Sequence, residues 1–65
     1  MWVVIYLAKG KSTVDGIRDL LEKNDILVMV RKKTDESDDD LAFYEILVPQ
    51  TELEAGQNLI IENIG

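Results

Sequence analysis

Sixty-five residues bound the protein to one domain, residues 1–65, near the size at which a core removes only about 60% of the surface that the unfolded chain exposes. Cys and His are both absent, which excludes disulfide cross-links and the usual zinc ligand sets and leaves association as the remedy for so short a chain. The formal charge of −6 argues against a bare nucleic-acid partner, because phosphate contacts need a basic face.

Trp2 to Ala8 is rich in β-branched and aromatic residues and ends at Lys9-Gly10-Lys11, which predicts a strand followed by a short turn. The run follows Met1 directly, with no basic n-region or cleavage site and too few apolar residues to span a bilayer. A soluble, cytoplasmic protein is therefore expected. Ser12 and Asp15 have the spacing of a capping box. Val14, Ile17, Leu20 and Leu21 then share one face of a helix running to about Lys23, where Asn24-Asp25 stops it.

Ile26 to Arg31 and Phe43 to Val48 read as the second and third strands, joined through the polar stretch Lys32 to Asp40, and Pro49 closes the third. Thr51 and Glu54 form a second capping box. They open a helix from about Glu52 to Asn63 with the apolar stripe Leu53, Gln57, Ile60, Ile61 and Ile64. Gly16 and Gly56 fall inside the two helices, either as tolerated imperfections or as points where a helix backbone approaches a neighbour closely.

The order βαββα implies an α+β fold in which a right-handed crossover makes strands one and two parallel and strand three antiparallel to both. Strand three can lie outside strand two or between the others. The split arrangement places it centrally, giving a three-stranded mixed sheet of order 1-3-2 with two helices on one face. All three strands are apolar on both faces, so the two helices leave one sheet face without a cover.

Side chains alternate along a strand, and Arg31 and Glu45 mark the face away from the helices. Met29 and Leu27 share that face with Arg31, and Phe43 and Leu47 share it with Glu45. For strand one, Trp2, Val4 and Tyr6 are the expected outward set, because Trp and Tyr carry polar tips suited to a boundary, while Val3, Ile5 and Leu7 go inward. The expected interface is thus Trp2, Val4, Tyr6, Leu27, Met29, Phe43 and Leu47, a patch that a second copy or a protein partner would cover. A loop or the C-terminus folding over it, or an inverted first strand, would be the alternatives. An unpaired edge at strand one offers a second route to association.

Two charged clusters remain. Gly10-Lys11-Ser12-Thr13 ends like a phosphate-binding loop, but Ile5 stands where the full motif needs a Gly, which excludes a nucleotide triphosphatase. A weaker anion site is conceivable at this helix start, with Lys9, Gly10, Lys11, Ser12 and Thr13 joined by Arg31, Lys32 and Lys33 from the end of strand two. Its ligand would be a phosphorylated or other anionic metabolite. Asp35, Glu36, Asp38, Asp39 and Asp40 supply five of the negative charges, and this loop is either a solvated balance to the lysines or a competitor that such a ligand displaces. The run lacks the Gly and the downstream Glu of a calcium loop, so no metal site and no cofactor are expected. Ser12, Ser37, Thr13, Thr34 and Thr51 have helix-cap or loop roles without a paired base, which speaks against an enzyme.

Trp2-Val3-Val4-Ile5-Tyr6 at the start, an amphipathic helix, Ile26-Leu27-Val28, and Glu45-Ile46-Leu47-Val48-Pro49 before Glu52 to Ala55 form a wider pattern. It resembles the short bacterial signal-transducing protein domains of undefined biochemical role. The resemblance implies a ferredoxin-like half, reminiscent of PII signalling proteins, and a regulatory role without catalytic residues. The chain departs from that pattern at Asn24-Asp25, where a Gly commonly precedes strand two, and in its Asp-rich loop. Residues and resemblance together lead to the expectation of a small regulatory or interaction module, working as a homodimer or with a protein partner.

Overall fold

The computed structural model describes residues 1–63. Its elements are β1 (Trp2–Lys9), α1 (Lys11–Lys23), β2 (Met29–Lys32), β3 (Phe43–Pro49), a 3-10 turn (Gln50–Glu52) and α2 (Leu53–Asn63). The sheet has the order β1-β3-β2, with β3 central. Strands β1 and β2 run in the same direction but never pair, so both ladders are antiparallel and the sheet is antiparallel rather than the expected mixed one. Antiparallel pairing sets side chains directly opposite one another in rows across the sheet.

Both helices lie on one face. Val14, Ile17 and Leu21 of α1 and Ile60 of α2 pack with Ala8, Tyr44, Ile46 and Val48 of the sheet, and with Ile26 and Ala42 beside it. The amphipathic period of α1 is the expected one, with Leu20 at the edge of the stripe. That of α2 is rotated. Gly56 is buried and Ile61 exposed, so the packed face runs through Leu53, Gly56 and Ile60 rather than through Gln57 and Ile61. A Cβ on Gly56 would lie 2.6 Å from Ile5 Cδ1 and 3.5 Å from Leu21 Cδ2, so the missing side chain brings the helix down onto β1 and turns that face inward. Gly16 meets nothing within 4 Å and is a tolerated helix-interior glycine. Ile64, the last member of the expected stripe, lies outside the described residues.

Neither expected capping box forms. Helix α1 starts two residues earlier than a Ser12 cap would set it, at Lys11, with Gly10 as its cap, and no side chain bonds its first turn. Asp15 is engaged instead by Lys11 Nζ at 3.2 Å and Arg18 Nη2 at 3.0 Å. The 3-10 turn that precedes α2 likewise has no side-chain cap. The far end of α1 is well closed: Asp25 takes φ +62°, its N–H donates to Glu22 O, and the Ile26 N–H donates to Leu21 O. That double bond is the Schellman termination, which usually has Gly where Asp25 stands. Because the Ile26 backbone is committed to the helix end, pairing of β2 begins at Met29 instead of Ile26. Ile26 still fills the core.

Candidate interaction surface

The sheet face opposite the helices is organised in rows. From one end, Trp2 stands opposite Pro49; Val4, Leu47 and Met29 form the next row; Leu7, Glu45 and Arg31 the next; Lys9 stands opposite Phe43. Leu47 is only 4% exposed and is not among the residues packed with the helices. It is sheltered on the outer face by Val4 and Met29 on either side. Around it Trp2 (44% exposed), Met29 (36%) and Phe43 (38%) face solvent, and among the described residues nothing folds across them.

Two members of the expected patch, Tyr6 and Leu27, are misplaced. The register slips between Val4 and Tyr6: Val4 pairs with Leu47 and Tyr6 with Ile46, leaving Ile5 as an extra residue. This bulge reverses the alternation beyond it. Tyr6 therefore turns toward the helices and packs on the core, while Leu7, expected inward, emerges on the outer face at 51% exposure. The uniformly apolar run Trp2 to Ala8 fits either phase, so alternation alone cannot register the insertion. Leu27 is exposed but precedes β2, off the paired sheet.

Glu45 anchors the polar part of the face. Its Oε1 accepts from Arg31 Nε at 2.8 Å and Nη2 at 2.7 Å, and Lys33 Nζ stands 3.5 Å from Oε2. The Arg31 hydrogen bond holds the Glu45 carboxyl below the usual glutamate range; partial burial opposes this, and the charges of Arg31 and Lys33 reinforce it. Lys9 Nζ lies 5.8 Å from the centre of the Phe43 ring, within cation–π range.

The residues of the expected anion site do not converge. Lys9, Arg31 and Lys33 belong to the outer face, whereas Lys32 reaches Asp39 at 3.8 Å and Lys11 reaches Asp15. The helix start is itself occupied by the acidic loop. The Gly10 N–H donates to Ala42 O at 2.9 Å and the Lys11 N–H to Asp39 O at 3.1 Å, while Ser12 and Thr13 are exposed beside them. Gly10 has φ +88°, and a Cβ there would come within 3.2 Å of Asp40 O, so the loop and the turn fit only around a glycine.

The loop is held by its own turns and by one tyrosine. The Asp40 N–H donates to Asp38 Oδ1, the Asp38 N–H to Glu36 Oε1, and the Tyr44 hydroxyl to Asp39 Oδ1 at 3.1 Å. Burial, followed by the Asp39 hydrogen bond and nearby carboxylates, raises the Tyr44 pKa above its ordinary value. Among the described residues no group of three or more acidic side chains is arranged to hold a metal ion, and no helix is long and apolar enough to cross a membrane. Comparison with protein-family models, curated proteins and solved structures yields no match.

Proposed function

We propose that the protein is a small non-enzymatic regulatory or interaction module that works in the cytoplasm, associating with itself or with a protein partner through the bare face of its sheet. The observation that carries this reading is the exposed set Trp2, Val4, Leu7, Met29 and Phe43 around the sheltered Leu47. Full burial of such side chains is worth roughly 1.5 to 3 kcal/mol apiece, and these are already partly covered, so about half of that remains for each on docking. Several together suffice for a specific complex.

The reading is tested by solution mass and by a Met29→Glu variant, which sets a carboxylate beside Leu47. The expected result is that the variant folds but loses whatever association the native chain shows. A native chain that stays monomeric at every concentration, with Trp2 emission typical of a water-excluded indole, would overturn it.

A further inference from the structure

The charge on the docking face runs against that of the molecule. Three cations, Lys9, Arg31 and Lys33, stand there with the carboxylate of Glu45, a charge of +2 among these four side chains, on a chain whose formal total is −6 and whose acidic loop begins two residues past Lys33. Glu45 is already saturated by Arg31 and Lys33 and is mostly covered, whereas both cations are more than half exposed. What the face presents outward is positive charge around Phe43 at one end and bare apolar surface around Leu47 at the other.

Resting on the docking reading above, we propose that the occupant is an acidic, apolar segment of another protein and not a second copy of this chain. Leu47 and Phe43 are four residues apart on β3, so the apolar row and the basic end lie about 13 Å from one another at the rise of a strand. An extended segment that sets an apolar side chain over Leu47 places carboxylates over the cations within a few residues. A second copy set sheet face to sheet face has no such match. Set row on row about a two-fold axis, it brings cation against cation; set end over end, it strips water from Arg31 and Lys33 against Trp2 and Met29.

Trp2 is the sole tryptophan and sits on this face, so its emission reports occupancy. The native chain is titrated with a synthetic peptide carrying Leu and Glu at alternate positions, and with the same peptide carrying Lys for Glu. The expected result is binding of the Glu peptide at least about tenfold tighter than the Lys peptide, weakening as salt rises from about 0.01 to about 1 M. In a Lys9→Glu, Lys33→Glu variant, which keeps the Arg31 to Glu45 pair and whose fold is checked by circular dichroism, the preference reverses. Equal binding of both peptides, abolished by Met29→Glu, overturns the acidic partner but leaves the docking face standing. A solution dimer that shields Trp2 does the same. Failure of both peptides to bind a monomeric chain overturns both.

Discussion

Gly56 is the point at which α2 meets β1, and Gly16 is a glycine in a comparable helical position with open space above it. Helix propensity alone assigns each Gly→Ala change the same gain, about 1 kcal/mol. Packing separates them. Gly16→Ala is expected to raise stability by about 0.5 to 1 kcal/mol in urea denaturation. Gly56→Ala must displace the Ile5 terminal methyl and is expected to gain nothing or to lose. Equal gains from the two would refute the close approach of α2 to β1. Glu45 gives a test by pH. Its folded carboxyl titrates below the ordinary value of 4.5, so its contribution is present above that pH and is lost as pH falls through the lower folded midpoint. The stability difference between the native chain and Glu45→Gln should therefore be largest near neutrality and shrink in acid. A difference that does not change with pH would mean that the Arg31 contact contributes no net stability.

At the scale of elements, the acidic loop and the start of α1 form one unit. The helix carries no acidic residue in its first turn and no capping side chain, and the loop's backbone carbonyls at Asp39 and Ala42 take over the cap. Tyr44, from the central strand, holds this arrangement through Asp39. Tyr44→Phe is expected to cost about 1 kcal/mol, the typical net value of a hydrogen bond, and to speed amide exchange at Gly10 and Lys11. Unchanged exchange at those amides would show that the loop is held by its own turns alone. Since the Tyr44 pKa is raised in the fold, the stability it contributes persists below its ordinary value of 10.0 and is lost as pH rises above that. The bulge at Ile5 acts on the opposite face by exchanging Tyr6 for Leu7, which makes the docking surface more apolar than an unbroken strand would.

For the whole molecule, the controlling fact is that one core is shared by two helices and a single side of a three-stranded sheet. Association is linked to stability by mass action, so any self-association raises the melting temperature with protein concentration. With a net-positive docking face and an acidic partner, the isolated chain is expected to melt at a temperature independent of its own concentration. It should be stabilised by the Glu-bearing peptide instead. A melting point that climbs with protein concentration would identify a second copy as the occupant.

The α+β class, the βαββα order and the bare sheet face are legible in the residues themselves, because strand alternation and helical period depend on local spacing, whereas the third strand could lie centrally or outside strand two until pairing decided it. Arg31 and Glu45 were enough to mark the outer side of β2 and β3. The Tyr6 and Leu7 exchange, the α2 face centred on Gly56, the loop cap on α1 and the dispersal of the lysines were decided only in three dimensions. Each of these depends on which distant segment supplies a hydrogen bond or fills a gap, and residue spacing along the chain does not encode that.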